Sequence, residues 1–94
     1  MKKAEKVHVA AVVAIGCIAC YVDSGELETP AEVHHVRAGC GGAQRSSWFK
    51  ILPLCTDHHR HGENGKIAIH RGSKTFSAKY GTEEELLILV ESLI

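Results

Sequence analysis

The sequence lacks several features that would place it in other classes of protein. Its formal net charge is zero, with 11 basic and 11 acidic residues, which argues against a strongly basic nucleic-acid binder. The opening MKKAEK is charged, and no signal-peptide cleavage site follows the apolar run from Val7 to Ile15. That run is also too short to cross a bilayer. We therefore expect a cytoplasmic protein with reduced cysteines and no membrane contact.

The chain is also short and has no internal repeat or low-complexity segment. Its 94 residues make one domain at most. A chain of this length buries only about 60–65% of the surface that its unfolded form exposes, so its core is small. Domains of this size often depend on a metal ion or on disulfides. Four cysteines and seven histidines, without a secretion signal, indicate a metal.

The middle of the chain predicts two short strands followed by a helix. Apolar alternation indicates one strand over residues 31–36, and Ile51 and Leu52 indicate another over 50–52, which Pro53 would end. A helix is expected from about residue 56, which completes a ββα unit. The glycine-rich loop over residues 37–47 does not have the spacing of a phosphate-binding loop. The aromatic pair after it, Trp48 and Phe49, is expected in the core rather than as a base-stacking platform.

Helices are predicted at both ends of the chain, giving an α+β fold. Helix-forming residues with one apolar face indicate a helix over residues 4–15 that Gly16 ends. Thr82 and Glu85 have the spacing of a capping box and begin a helix over 83–93, whose apolar face would close the core. A dimer seam on that face is the alternative. Three minor elements are also expected: a polar loop over 21–30, an extended stretch over 66–69 and a short helix over 74–80.

A first set of metal ligands comes from two knuckles, Cys17-x-x-Cys20 and Cys55-x-x-His58. Two such knuckles can close a tetrahedral zinc site without a bound water, and such a site stabilises the fold. The alternatives for the first knuckle are a redox pair, which would need a βαβ pattern that is missing here, and free thiols. Cys40 has no close partner in the sequence and is expected to be incidental.

A second set consists of histidines that the zinc site does not use: His34, His35, His59 and, as a third ligand, His70 or His61. Neighbours on a strand point to opposite faces, so His34 and His35 are not expected to bind the same ion. One ring would bind a metal and the other would accept a proton, which is the pairing that phosphodiester hydrolysis needs. The alternative is that these are ordinary core or surface histidines.

These motifs resemble those of HNH endonucleases, also called ββα-metal or His-Me finger nucleases. The resemblance lies in GCIAC, PAEVHHVRAG, QRSSWFKILPLCTDHHRHG, IAIHRGSKTF and KYGTEEELL, which together run from residue 16 to 87. The chain is still more similar to the phage recombination-enhancement nucleases, which are Ref-like and RecA-dependent. The resemblance implies one zinc-stabilised HNH domain over residues 1–94, with flanking N- and C-terminal helices, that hydrolyses DNA.

The resemblance also implies a role for each histidine. His35 matches the general base, and His34 and His59 match ligands of the catalytic metal. The third ligand of the broad family falls at Glu63 here, and we expect an insertion to have moved that role to His70. The residues that match the structural zinc ligands are Cys17, Cys20, Cys55 and His58.

The cofactors and partners implied are a structural Zn²⁺, a catalytic Mg²⁺ or Mn²⁺ whose place Zn²⁺ or Ni²⁺ can take, DNA, and a RecA-type filament. We expect a monomer. The arginines expected on DNA phosphates are Arg37, Arg45, Arg60 and Arg71. The chain departs from the family where an asparagine usually ties the loop, since Lys50 stands there. A zinc-stabilised DNA-binding module without catalysis is the alternative function.

Overall fold

A computed structural model gives the fold, and it describes residues 2–36, 47–63 and 65–94. Within these ranges the chain forms helices around a small antiparallel sheet. In chain order the elements are α1 (Lys3–Ile15), α2 (Ile18–Ser24), β1 (Glu32–His35), β2 (Ile51–Leu54), a π-helical turn (Asp57–His61), a 3₁₀ turn (Ile69–Arg71), α3 (Ser73–Tyr80) and α4 (Glu83–Leu93). The predicted α+β class is confirmed.

The predicted N-terminal helix is confirmed as α1, and the close packing at its end explains why Gly16 follows it. Gly16 has φ 90°, and a Cβ there would lie 2.4 Å from the backbone nitrogen of Thr29. The backbone N–H of Glu28 donates to the carbonyl of Ile15 at 2.8 Å. The segment after α2 therefore folds back onto the end of α1, and only glycine leaves room for it.

The predicted polar loop over 21–30 is wrong in its first part, because α2 continues to Ser24. The Cys17 sulfur caps this helix by accepting the N–H of Cys20 at 3.4 Å. Gly25, with φ 73°, ends it in a left-handed conformation. The knuckle is thus the first turn of a helix. Cys17 is the N-cap residue and Cys20 lies three positions later, so the cap holds both sulfurs on the same side of that turn.

The two predicted strands are confirmed, but Pro53 lies inside β2 and does not end it. The N–H of Val36 donates to the carbonyl of Lys50, and His34 pairs with Leu52 two positions along the ladder. Hydrogen-bonded pairs alternate with non-hydrogen-bonded pairs in an antiparallel ladder. Pro53 therefore occupies a position that makes no ladder bond, where its missing N–H costs nothing.

The helix expected from residue 56 is only a single π-helical turn. The N–H of His59 donates to the carbonyl of Cys55, whereas the N–H of Gly62 reaches back five residues to the carbonyl of Asp57. Gly62 then ends the turn with φ 67°. The extended stretch expected over 66–69 forms no strand: Ala68 has an extended backbone, with φ −93° and ψ 134°, and a 3₁₀ turn begins at Ile69.

The two C-terminal helices agree with the sequence more closely. α3 begins at Ser73, with Gly72 rather than Ser73 at the N-cap position. The capping box of α4 is confirmed: the Thr82 hydroxyl accepts the N–H of Glu85 at 3.1 Å, and the Glu85 carboxylate accepts the N–H of Thr82 at 2.9 Å. The start of α4 is therefore firmly defined.

The core is built around β2, all four residues of which are buried. The buried apolar side chains packed around it include Val12, Ile18, Phe76, Leu86 and Val90, which come from all four helices. The expectation that Phe49 is a core residue is wrong, because its side chain is 46% exposed. Trp48 is partly buried and packs against the core.

The segment Lys3–Ser24 is long and apolar enough, by length and composition alone, to cross a membrane, and 33% of its most apolar window is buried. This segment is longer than the apolar run considered in the sequence. In the fold it is divided into α1 and α2 at Gly16 and Cys17. Its buried residues, Val12 and Ile18 among them, belong to the core of the domain.

Candidate metal centres

The two knuckles meet and form a cluster of four metal-ligating side chains, Cys17, Cys20, Cys55 and His58. The Nδ1 atom of His58 lies 3.3, 3.5 and 3.2 Å from the three sulfurs in that order. Ligands at about 2.3 Å from a tetrahedral zinc ion are separated by about 3.8 Å. The donor atoms are therefore already spaced for such an ion, and this Cys3His cluster can hold zinc.

Secondary structure places each of these donors. Cys17 and Cys20 belong to the capped start of α2, Cys55 directly follows β2, and His58 lies on the π-helical turn. Cys55 is half-buried and the other three side chains are buried. Cys17, Cys20 and Cys55 are free thiols. We refer to this cluster as the closed site.

A hydrogen-bond chain behind His58 fixes its ring. The Nε2 atom of His58 lies 3.0 Å from the Tyr80 hydroxyl, which donates to Asp23 at 3.0 Å. Because Nδ1 faces the sulfurs, Nε2 carries the proton and donates to the phenol. Outer hydrogen bonds of this kind hold a metal-binding imidazole in the correct tautomer.

The ionisation of the closed site is governed by burial. Burial raises the pKa of the Cys17 thiol to about 12 and also raises the pKa of Cys20. Burial lowers the pKa of His58, which keeps this ring neutral. A metal ion must displace the thiol protons to bind, so the affinity of the site falls with falling pH. The ammonium of Lys66 lies 3.9 Å from the Cys55 sulfur, and its charge partly opposes the rise in the pKa of Cys20.

A second cluster is formed by three histidines, His34 on β1, His59 on the π-helical turn and His70 on the 3₁₀ turn. The Nε2 atoms of His59 and His70 lie 3.0 Å apart. Two imidazole nitrogens at about 2.0–2.1 Å from one ion are separated by about 2.9 Å when the two bonds are at right angles and by about 3.3 Å in a tetrahedron. The donor set and its spacing therefore fit a divalent cation. We refer to these three residues as the histidine cluster.

The histidine cluster is open to solvent on one side. His34 is buried with 5% of its surface exposed, His59 is half-buried and His70 is exposed. A cavity of about 230 Å³ adjoins His34 and His70, and it is also lined by Ser73 and Glu83. The cluster thus has the access that a substrate would need.

Two carboxylates that the sequence predictions missed contact this cluster. His59 Nδ1 donates to Glu32, which also accepts two hydrogen bonds from Arg60. His34 Nε2 donates to Glu83 at 2.7 Å. Glu32 could have been found, because it shares a strand face with His34 two residues away. Glu83 is 49 residues from His34, and no local pattern connects them.

The pKa values of the Glu32–His59 pair reflect both burial and hydrogen bonding. Burial raises the pKa of the Glu32 carboxyl, but hydrogen bonds from His59 and Arg60 outweigh it and hold that pKa below its ordinary value. Burial lowers the pKa of His59, although the bond to Glu32 opposes this. At neutral pH the pair is therefore a carboxylate with a neutral imidazole, whose Nε2 can bind a metal.

His35 lies apart from the histidine cluster. Its ring packs edge-on against Trp48, with ring centroids 4.4 Å apart. His34, the preceding residue on β1, instead has the rings of His59 and His70 as neighbours at 5.2 and 5.4 Å. The strand alternation thus separates the two adjacent histidines, and each has its own aromatic surroundings.

The remaining candidates are distributed as follows. His61 and Glu63, the other candidates for the third ligand, group with Asp57 in a different and largely exposed cluster. Arg60 pairs with Glu32, and Arg71 is exposed beside His70. The predictions for Arg37, Arg45, Cys40 and the glycine-rich loop fall outside the described residues, apart from the loop's last position, Ser47.

Comparison with known proteins identifies the family of the chain that carries these two centres. A search among curated proteins finds no significant match. A protein-family model does match, and it covers residues 2–94, which include both the closed site and the histidine cluster. Its description is recombination enhancement, RecA-dependent nuclease. The chain therefore belongs to the family of RecA-dependent nucleases of recombination enhancement.

Proposed function

We propose that this protein is a metal-dependent DNA endonuclease of the HNH type that acts with a RecA-type filament. The observation that supports it most is the convergence of His34, His59 and His70 from three separate elements onto one solvent-accessible point. The family supplies the nuclease activity and the RecA connection. The order of β1, β2 and a helical turn is also the order of a ββα-metal unit.

In this proposal His34, His59 and His70 hold one divalent cation, Mg²⁺ or Mn²⁺. When bound, such an ion would supply stabilisation of the negative charge on a scissile phosphate and on the leaving oxygen. His35 is the general base: it takes the proton of the attacking water while the new P–O bond forms and the bond to the leaving oxygen breaks. An imidazole is suited to this because its unperturbed pKa is about 6.5.

Trp48 would hold the His35 ring in place for that proton transfer. The two rings meet edge-on with centroids 4.4 Å apart, a favourable aromatic arrangement. The closed site has no part in the chemistry, and its zinc would hold α2, β2 and the π-helical turn together. This division gives the buried cysteines a structural role and leaves the accessible histidines for catalysis.

DNA contact in this proposal comes from exposed arginines near the cluster. Arg71 directly follows His70 and is exposed, so it can reach a phosphate. Arg60 is 54% exposed, but its guanidinium is already held by Glu32. Arg71 is therefore the better candidate among the described arginines. Phosphate contacts would make DNA affinity fall steeply as the salt concentration rises.

The test of the proposal is substitution of the base. His35→Ala in the zinc-loaded protein should reduce Mg²⁺- or Mn²⁺-dependent plasmid nicking by about 10²–10⁴-fold, the usual contribution of a general base. The assay includes the RecA filament, and zinc content and thermal unfolding are measured in parallel. His61→Ala is the matched control, because it removes an exposed histidine outside the histidine cluster.

Two results would overturn this assignment. If His35→Ala cuts DNA as well as the parent, His35 is not the base. If the parent binds DNA but does not cut it under any divalent cation, with or without the filament, the protein is a zinc-stabilised binding module. Retention of one zinc per chain in His35→Ala shows that a loss of nicking by this variant does not come from unfolding.

A further inference from the structure

The histidine cluster is supported by two carboxylates that come from distant parts of the chain. Glu32 lies on β1 and contacts His59, and Glu83 is the first residue of α4 and contacts His34. The two contacts involve nitrogens on different histidines. Two of the three imidazoles in the cluster therefore each have one nitrogen engaged by a carboxylate.

We propose that Glu32 and Glu83 are positioning residues that set the ring orientation and tautomer of His59 and His34, and thereby the affinity of the cluster for a divalent cation. This rests on the metal site of the proposed function but not on its catalysis. Neutral imidazole has one N–H and one lone pair, so fixing the N–H at one nitrogen leaves the other nitrogen to bind the ion.

Glu32 fixes His59 in this way. Because the Nδ1–H of His59 donates to the Glu32 carboxylate, Nε2 carries the lone pair. That Nε2 atom is the one 3.0 Å from Nε2 of His70, where a shared ion would lie. The opposite tautomer would place a proton at this point and block the metal. The carboxylate therefore favours the one form of His59 that can be a ligand.

Arg60 keeps Glu32 in position. Its Nε donates to one oxygen at 2.8 Å and its Nη2 to the other at 3.1 Å. Such a two-point contact fixes the plane of a carboxylate. Since Arg60 immediately follows His59, the same turn supplies both the imidazole and the group that holds its partner. This gives Arg60 a role other than the phosphate contact expected from the sequence.

Glu83 is held in place by the start of a helix. Its backbone is fixed by the capping box that begins α4, in which Thr82 is the N-cap residue. A carboxylate in the first turn of a helix is favoured by the N–H groups and the helix dipole. From this position it accepts the Nε2–H of His34, the most buried member of the cluster. Glu32 depends on a guanidinium, whereas Glu83 depends on a helix end.

The experiment measures Mn²⁺ binding to the full chain that already holds zinc in its closed site. Isothermal titration and Mn²⁺ electron paramagnetic resonance give the affinity without any nuclease assay. Glu32→Ala and Glu83→Ala should each weaken Mn²⁺ binding by about 10–100-fold, the usual effect of losing such a partner. Glu84→Ala is the matched control: it removes the same carboxylate from the same helix turn as Glu83 and should change affinity less than twofold.

A second readout separates positioning from a merely structural role. In ¹⁵N NMR spectra of the parent, before Mn²⁺ is added, His59 should be the Nδ1–H tautomer and His34 the Nε2–H tautomer. Glu32→Ala and Glu83→Ala should convert the corresponding ring to a mixture of tautomers. The glutamine variants should retain more of the parent form, because an amide oxygen still accepts the N–H.

The outcomes separate this inference from the proposed function. If the parent binds Mn²⁺ and both alanine variants bind it equally well, with unchanged tautomers, the positioning roles are wrong even if the protein cuts DNA. If the variants lose affinity as expected but the parent never cuts DNA, the positioning roles hold and the proposed function fails. If the parent binds no Mn²⁺ at this cluster, both are wrong.

Discussion

The closed site and the histidine cluster are neighbours that differ in donor type and in exposure. Three thiols and an imidazole make up the closed site, and three of its four side chains are buried. Three imidazoles make up the histidine cluster, and one of them is exposed. Soft, buried, four-fold ligation suits a permanent zinc ion. Three nitrogen ligands with an open side leave coordination positions for a substrate and water.

The hydrogen-bond partners of the histidine ligands also differ between the two sites. His58 of the closed site donates to a neutral phenol, Tyr80, whereas His34 and His59 donate to carboxylates. A carboxylate partner makes an imidazole a stronger donor toward a metal. With zinc bound, three thiolates would supply negative charge at the closed site, but the histidine cluster has none of its own. The carboxylates of Glu83 and Glu32 therefore supply the negative charge that the histidine cluster lacks, whereas the closed site needs only a neutral partner.

Removing one ligand of each site is expected to give the largest effect, and it tests whether the two sites differ in their contribution to folding. Cys20→Ser should abolish stoichiometric zinc binding and cooperative unfolding, because binding of a structural zinc ion contributes about 10–16 kcal/mol in small domains. His70→Ala should keep one zinc per chain and change the free energy of unfolding by no more than about 0.5 kcal/mol, because His70 is exposed. Zinc analysis and circular dichroism measure both.

An opposite result would remove the distinction between the sites. If His70→Ala unfolds the protein, the histidine cluster is structural too. If Cys20→Ser remains folded and keeps its zinc, the closed site is not what holds the fold. The control is His61→Ala, which removes a histidine of neither site and should resemble the parent in both measurements.

A smaller effect is expected from the support behind His58. Tyr80→Phe removes the hydroxyl that accepts from His58 and donates to Asp23. The buried imidazole N–H would lose its closer partner and keep Asp23, whose Oδ2 atom lies 3.4 Å away, so the cost falls at the lower end of about 1–3 kcal/mol. Zinc affinity should fall by about tenfold or more, as measured by competition with a chelating dye. Tyr21→Phe is the control, and equal affinities for the two variants would contradict a role for the Tyr80 hydroxyl.

The smallest expected effect concerns pH and distinguishes His59 from the zinc-bound His58. Burial lowers the pKa of His59 below its unfolded value of about 6.5, so the folded chain binds fewer protons between the two pKa values. The free energy of unfolding should therefore decrease as the pH falls from about 6.5 through the folded pKa. One group contributes at most about 1.4 kcal/mol per pH unit.

Urea denaturation of protein loaded with one zinc per chain, between pH 7.5 and 5.5, measures this slope. His59→Gln should reduce it, because the titrating group is gone. His61→Gln, which changes a neighbour on the same turn, should not. A slope that is the same in the parent and in His59→Gln would mean that His59 does not contribute to the pH dependence of stability.

The sequence predicted those parts of the molecule whose signals are local. Thr82 and Glu85 are three residues apart, and their capping box defined the start of α4 correctly. The two knuckles, each of fixed spacing, indicated the four residues of the closed site, which the structure brings together. The strand positions of His34 and His35 indicated that their rings would lie on different sides. In each case the deciding interaction spans only a few residues.

The parts that were missed depend on tertiary contacts. α2 extends through residues that look like a polar loop, because Tyr21 on it packs against the core. Pro53 remains in β2 because of the register with β1, which a single strand does not reveal. Glu83 was missed because it meets His34 only after the fold is complete. Phe49 is exposed although all residues of β2, which begins two positions later, are buried, and nothing local marked that difference.

The π-helical turn has a consequence for the order in which metal ions can be loaded. His58 and His59 are consecutive residues on it, and their rings serve different centres. Once zinc holds His58, the direction of His59 is largely determined by the backbone between them. In the proposed function, zinc would therefore bind first and the divalent cation of the histidine cluster only afterwards. A newly made chain without zinc would be unable to assemble the histidine cluster, so any activity that depends on that cluster would begin only when folding is complete.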